Sequence, residues 1–146
     1  TYSSAVTSDT TWVAEYWNVF TTIEEQDIYK LTVNQQIDDE WTASTFLERE
    51  RYTFTFDADP FVDYIVEAEL AYLSELNLIY TYETTGAETG DQPDNWGIWE
   101  VKYRPDVDQE WNLVYGSRRE GVVCSGGICR IEPAFDGFKL DYLWRF

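Results

Sequence analysis

The two cysteines carry the most distinctive chemistry of this sequence. Cys124 and Cys129 enclose Ser-Gly-Gly-Ile, and the chain has no other cysteine. The glycines can supply the dihedrals of a tight turn, so the two thiols can close a small hairpin ring. Two thiolates alone are half of a zinc ligand set, and a redox pair normally has two residues between its cysteines. The spacing therefore favours a disulfide that staples a loop, and with it an oxidising compartment.

The rest of the composition argues against catalysis. The sequence has no histidine, which removes Ser-His-Asp and Cys-His nucleophiles and every histidine-ligated metal site. Carboxylate pairs remain available to a glycosidase, although 28 acids in 146 residues bring pairs together by chance. The acids that neighbouring strands would bring together are Glu67, Glu69 and Glu83. We predict that the protein is not an enzyme and carries no cofactor.

Two charged loops remain as ion-binding candidates. One contains oxygen ligands for Ca²⁺, although a solvated loop is the simpler interpretation. Its acids are Glu88, Asp91 and Asp94. The other brings Arg118, Arg119 and Arg130 near the cysteines, to pair with Glu120, Glu132 and interior carboxylates, or to hold a phosphate. Neither loop has the ligand set of a defined metal site, so we predict none.

The overall charge limits the partners. The chain has 10 Lys and Arg against 28 Asp and Glu, a net charge of −18. Nucleic acid requires cations that neutralise its phosphates, so it is not an expected partner. An acidic surface, an acidic barrel interior or a salty habitat would each account for the charge.

The final ten residues show the pattern of a strand with two different faces. Phe138, Leu140, Tyr142, Trp144 and Phe146 alternate with mostly charged residues, a period of two. A strand that ends the chain on Phe is unusual in a soluble domain, whose termini fray, but it suits the aromatic girdle of a membrane barrel.

Similar alternation predicts eight strands and no helix. The strands are expected at 11–23, 28–37, 41–56, 61–73, 76–83, 98–104, 111–115 and 137–146, with residues 1–10 as a leader or linker and 11–146 as one β-barrel domain. Short turns then lie at one end and the long connections 84–95 and 119–136 at the other, as in outer-membrane barrels. The predicted fold is an all-β, antiparallel, up-and-down transmembrane β-barrel of about eight strands, or the C-terminal eight strands of a larger one.

The two parities of these strands predict two surfaces. The apolar rows contain too many rings for the interior of an eight-stranded barrel, so we expect them to face lipid. The lipid-facing aromatics would be Tyr64, Tyr72, Tyr80, Tyr82, Trp99, Tyr103, Trp111, Tyr115, Tyr142, Trp144 and Phe146. The charge network of the lumen would contain Asp63, Glu67, Glu69, Glu83, Glu100, Lys102, Arg104, Arg118, Lys139, Asp141 and Arg145.

The C-terminal third also carries a family resemblance. It contains Gly-Ser-Arg-Arg, then Cys-Ser-Gly-Gly-Ile-Cys-Arg, then Pro-Ala-Phe-Asp-Gly before a strand that ends in Phe. This arrangement, over residues 96–146, resembles a little-characterised family of outer-membrane β-barrel proteins of Bacteroidota and related bacteria. The resemblance implies fold and location, not chemistry. Because members of that family are longer, it also implies that these residues form the last strands of a larger barrel.

Together these patterns predict a barrel of the outer membrane with extracellular loops and a structural, pore or envelope-complex role. Its expected partners are membrane lipid, with lipopolysaccharide and other envelope proteins as further candidates. Two alternatives stay open: a soluble β-barrel or sandwich that binds a ligand such as a sugar, and a carboxylate-based hydrolase.

Overall fold

The fold is a meander of antiparallel strands. The structure, a computed structural model, describes residues 2–7, 9–20, 24–54, 59–87, 93–119, 121–125 and 128–145. The strands are β1 (Tyr2–Thr7), β2 (Thr10–Phe20), β3 (Glu24–Gln36), β4 (Trp41–Phe54), β5 (Phe61–Tyr72), β6 (Leu76–Thr84), β7 (Asn95–Asp106), β8 (Gln109–Arg118), β9 (Gly121–Ser125), β10 (Ile128–Glu132) and β11 (Phe135–Trp144). The described residues include no helix long and apolar enough to cross a membrane.

Nine of these strands form one sheet, in the order β1-β2-β3-β4-β5-β6-β7-β8-β11, and every neighbouring pair is antiparallel. Strands β9 and β10 form a separate hairpin between β8 and β11. The all-β, up-and-down architecture and its eight predicted strands, which are β2–β8 and β11, are confirmed. The sheet is open, with β1 and β11 at its edges.

Several boundaries differ from those that alternation predicts. The polar segment 24–27 is not a break but the start of β3, because its side chains have cross-strand partners: Asp27 lies opposite Asn18 and Arg51. Segment 119–136 holds the β9–β10 hairpin instead of being all loop. Pro105 lies near the end of β7, next to the turn that leads to β8. The register between the two strands shifts there, so the N–H group that proline lacks is not required for a hydrogen bond between them. Strand β1 lies within residues 1–10, and the division into leader and barrel domain stays a prediction.

The two ends of the sheet differ. At one end, here called the turn end, short connections join β3 to β4, β5 to β6 and β7 to β8. The longer connections, β6 to β7 and the segment holding the β9–β10 hairpin, lie at the opposite end, here called the loop end. The C-terminal strand β11 ends at the turn end, where the Arg145 amide donates to the Asp108 carbonyl at 2.8 Å.

Three glycines meet where the sheet reaches its loop end. Gly116 on β8 lies opposite Gly137 on β11, and both have positive φ, +136° and +125°. A Cβ on Gly116 would lie 2.0 Å from the carbonyl oxygen of Gly97 on β7. The backbones of β7 and β8 therefore approach more closely here than a side chain would permit.

Candidate functional site

The sheet has one apolar face whose side chains are ordered in rows across the strands. Directly opposed residues of antiparallel strands share a face, so the register defines each row. The first aromatic row, nearest the turn end, is Trp41, Tyr72, Leu76, Tyr103, Trp111 and Tyr142. An aliphatic row follows, made of Ala43, Leu70, Leu78, Val101, Leu113 and Leu140. The second aromatic row is Tyr80, Trp99, Tyr115 and Phe138.

The rings of these rows touch one another but remain open to the surroundings. Ring centroids lie 4.4 Å apart for Trp111 and Tyr142, and 4.5 Å apart for Tyr80 and Trp99. Trp99 and Tyr115 are 57% and 63% exposed. Of the eleven aromatics predicted to face lipid, ten share this face by register; Phe146 lies outside the described residues. The face is therefore an exposed aromatic surface, not a core.

The opposite face is polar and less exposed. The buried residues of the described chain are Ile79, Trp96, Glu48, Asp63 and Thr85, and the register and strand parity assign all of them to this face. Ile79, 9% exposed, lies between Glu69 and Glu100 of the neighbouring strands. The sheet thus buries charges on one side and exposes rings on the other.

The charged residues predicted for the lumen follow this polar face. By parity along β5, β6, β7, β8 and β11 it includes Asp63, Glu67, Glu69, Glu83, Glu100, Lys102, Arg104, Arg118, Lys139 and Asp141, with Arg145 just beyond β11. Arg104 Nε lies 2.8 Å from the Glu110 carboxylate across the β7–β8 pair, and Arg145 lies 3.8 Å from the same carboxylate. Lys139 pairs with Asp141 on its own strand at 2.9 Å. Opposite charges therefore meet on this face, both across and along strands.

Sequence reasoning missed several members of this network. Lys30 on β3 forms an ion pair with the buried Glu48 on β4, and Glu15 lies opposite Lys30 on β2. Lys30 Nζ also lies 5.2 Å from the centre of the Trp17 ring. Glu48 and Glu50 alternate along β4, and this alternation could have assigned them to the polar face. Arg49 and Arg51 put charges on the other face as well, so the sequence did not show which face of β4 is polar.

The strongest cluster of the polar face surrounds Asp63, which is 2% exposed. Its Oδ1 accepts hydrogen bonds from the Thr85 hydroxyl at 2.6 Å and from the Gly86 amide at 3.3 Å. Its Oδ2 lies 3.1 Å from Arg119 Nη2. The arginine and the two hydrogen-bond donors together offset the cost of burying this carboxyl group.

Arg119 closes this cluster on the same face, from a position three strands away. It follows β8, yet it reaches Glu83 on β6 as well as Asp63 on β5, and its guanidinium lies 5.6 Å from the Trp96 ring centre on β7. Of the expected arginine cluster, Arg119 pairs with carboxylates of the polar face. The side chains of Glu120, Arg130 and Glu132 lie outside the described residues. Because Arg119 immediately precedes the β9–β10 segment, its contacts tie the base of that hairpin to the polar face.

The loop end of β2–β4 carries a further group of hydrogen-bonded acids. Asp27 accepts hydrogen bonds from the Tyr16 hydroxyl at 2.8 Å and from Asn18 at 3.0 Å. On the other face Glu50 accepts a 2.6 Å hydrogen bond from the Tyr52 hydroxyl.

The cysteine pair lies in register. Cys124 on β9 is directly opposite Cys129 on β10, and the Ser125–Ile128 pair leaves Gly126 and Gly127 as the connection. Directly opposed antiparallel residues have Cα separations of about 4.5–5.5 Å, within the range that a disulfide spans. The cysteine side chains lie outside the described part of the structure, so the disulfide stays a prediction.

The structure brings no set of ligands together at the remaining candidate ion sites among the described residues. Glu88 and Asp91 lie outside the described residues, and Asp94 accepts a hydrogen bond from Asn95 at 2.7 Å. Glu67 accepts one from Thr81 and Glu69 one from Asn77. No group of three or more potential metal ligands occurs among the residues with described positions.

Comparison with known proteins finds a family model that matches part of the chain and indicates no activity. The model of a family of unknown function (DUF6029) matches residues 79–146, just under half of the chain. No curated protein and no solved structure matches the chain. The matched region runs from the middle of β6 to the end of β11 and includes the hairpin. The similarity to outer-membrane barrels of Bacteroidota therefore stays a prediction.

Proposed function

We propose that this chain contributes its strands to a β-barrel of the bacterial outer membrane. The observation that carries the proposal is the inverted distribution of side chains: Trp99, Tyr115 and Phe138 are exposed, while Asp63 and Glu48 are buried on the opposite face. A bilayer accommodates such a protein, because lipid tails cover the rings and the barrel interior pairs the charges.

The length of the apolar parity supports the same proposal. Tyr72 and Tyr64 stand eight residues apart on β5, about 26 Å along the strand. At the usual tilt of a barrel strand this is about 20 Å of height, close to the apolar band of about 25 Å in outer-membrane barrels.

The strand count supports a barrel that contains more strands than these nine. In an alternating meander the first and ninth strands run in the same direction, so β1 and β11 are parallel to each other. Antiparallel closure needs an even number of strands. We therefore favour a larger barrel that includes these strands, with the loop end extracellular and lipid, lipopolysaccharide or envelope proteins as partners. Its role is structural, a pore or a subunit of an envelope complex.

The decisive experiment is gel migration of the natively extracted protein, boiled and unboiled, together with its intact mass. A membrane barrel requires detergent and shifts on boiling. A shift at the 17.2 kDa of this chain indicates that these strands form a barrel without a longer polypeptide, and a shift at a larger mass indicates the larger barrel. A protein that stays in solution without detergent and shows no shift contradicts the proposal and favours a soluble ligand-binding β-domain.

A further inference from the structure

A trough crosses the polar face near the turn end of β2 to β5. Its volume is about 390 Å³, toward the small end of the range for small-molecule sites. Two neighbouring rows of the register supply its walls. Their polar members are Thr11, Asn34, Ser44 and Glu69 in one row, and Asp9, Gln36 and Thr42 in the next.

The described lining of this trough combines neutral hydrogen-bonding groups with two acids and contains no lysine or arginine. Most of its side chains are hydroxyls and amides, and Asp9 and Glu69 add two negative charges. On the described part of β2 to β5, the nearest cation of the polar face is Lys30, four residues from Asn34 and therefore about 13 Å along β3. Lys30 already pairs with Glu48. The trough is therefore a negative region that a cationic ligand would neutralise.

Glu69 can accept a further donor. Its Oε1 accepts a 2.6 Å hydrogen bond from Asn77, and its Oε2 accepts a 3.5 Å bond from the Ser44 hydroxyl. Both donors are neutral, and an ionised carboxylate has about four acceptor sites. The ion pairs among the described residues do not include Glu69. An ammonium group would therefore give this carboxylate a charge-assisted hydrogen bond that no described side chain provides.

The two acids stand at opposite ends of the trough. Glu69 lies on β5 and Asp9 directly precedes β2, three strands away, which is about 14 Å at the usual spacing of strands. The polar face is concave, because Asp63 and Arg119 meet at 3.1 Å although the segments that carry them are also three strands apart. The two carboxylates are therefore closer together than their backbones, and a linear molecule with an ammonium group at each end can reach both.

We propose that this trough binds a linear organic polycation of the polyamine type, with one ammonium group at Glu69 and another at Asp9. The oxygens of Thr11, Asn34 and Ser44 lie between these two ends and accept further N–H bonds. The inference rests on the proposed barrel, whose interior this face lines, and it assigns a class of solute to that interior. A sugar would also find hydroxyl and amide partners, but the described lining offers no aromatic ring on which a sugar could stack.

The test uses diamines that carry the same charge and differ in length. The purified protein in dodecyl maltoside is titrated calorimetrically, at constant ionic strength, with diaminopropane, diaminopentane, diaminooctane or magnesium chloride. We expect diaminooctane to bind about fivefold more tightly than diaminopropane, since only a chain that spans the trough gains the second ion pair. Glu69→Gln should remove this dependence on length, and Asp9→Asn should do the same.

The matched control is Asp141→Asn. It removes the same charge from an exposed carboxylate of the polar face on β11, four strands from β5, so the preference for the longer diamine should persist. Equal affinities for the three diamines, or a length preference that survives Glu69→Gln, would overturn the site. Magnesium that binds as tightly as the best diamine would also overturn it, because charge alone would then account for binding. If such a protein still requires detergent and shifts on boiling, the membrane barrel stands without this site.

Discussion

Asp63 combines deep burial with three donors from two separate segments of the chain. Thr85 and Gly86 come from the segment after β6, and Arg119 comes from the segment after β8. A buried carboxylate left without its cation costs several kcal/mol, and the pair is most valuable when hydrogen bonds satisfy the remaining lone pairs. The geometry around Asp63 meets that condition.

The first prediction concerns this ion pair. Arg119→Gln should lower the free energy of unfolding by about 3 kcal/mol, because it leaves Asp63 charged and buried. Water reaches Arg119, whose side chain is 34% exposed, and moderates the loss. Urea unfolding in detergent micelles measures the difference.

The control for this prediction is the Asp63→Asn background. Asparagine can still accept from Thr85 and Gly86 but no longer needs a cation, so Arg119→Gln should cost clearly less there. Equal costs in the two backgrounds would show that Arg119 acts through Glu83 or Trp96 instead. Arg104→Gln, at an exposed ion pair with Glu110, should cost under about 1 kcal/mol.

Among the elements of the fold, β7, β8 and β11 depend on glycine where they approach the loop end. Gly97, Gly116 and Gly137 follow one another across these three strands. At Gly116 both the positive φ and the nearby carbonyl of Gly97 exclude a side chain, whereas Gly137 has the positive φ but no atom near its Cβ position. The two sites separate steric exclusion from backbone strain.

This contrast gives the second prediction. Gly137→Ala should cost about 1–2 kcal/mol, from the backbone conformation alone. Gly116→Ala should cost more, because its Cβ would stand 2.0 Å from the Gly97 oxygen and the β7–β8 pair must separate. Both variants can be compared by the temperature at which the folded gel band disappears. Equal losses would mean that β7 and β8 shift apart without difficulty.

The alternation of apolar and polar residues predicted the strands, because in each predicted strand every second residue is mostly apolar. It failed for β1, whose sequence Tyr-Ser-Ser-Ala-Val-Thr lacks such a parity, and for the start of β3, where polar residues satisfy each other across strands. The Asp63–Arg119 contact could not be predicted either, since 56 positions separate the two residues. The position of a residue along its strand assigns it to one face of the sheet. Which side chains on that face meet depends on the three-dimensional arrangement of the strands.

At the scale of the whole molecule, the net charge is −18. The polar face accommodates many of the acids, because it supplies them with ion pairs and hydrogen bonds. Several of its acids are neutralised by Lys30, Arg104, Arg119 and Lys139. Others, such as Glu67 and Glu69, are hydrogen bonded to neutral side chains. The polar face therefore keeps an excess of negative charge, and as the interior of the proposed barrel it would disfavour anions.

The final prediction asks which solvent each face meets, and it uses adjacent residues of β6. Tyr80 lies on the apolar face between Ala68 and Trp99, and Ile79 lies on the polar face between Glu69 and Glu100. In a membrane barrel Tyr80→Arg places a charge in lipid and should cost about 2–4 kcal/mol near the midplane. Ile79→Arg should cost less, because the guanidinium would find a carboxylate on each side. In water Tyr80→Arg would leave its charge solvated, so the difference between the two costs should disappear. Unfolding of both variants in urea, in detergent micelles and in lipid vesicles, measures that order. A larger loss for Ile79→Arg in vesicles would contradict the membrane orientation of the sheet.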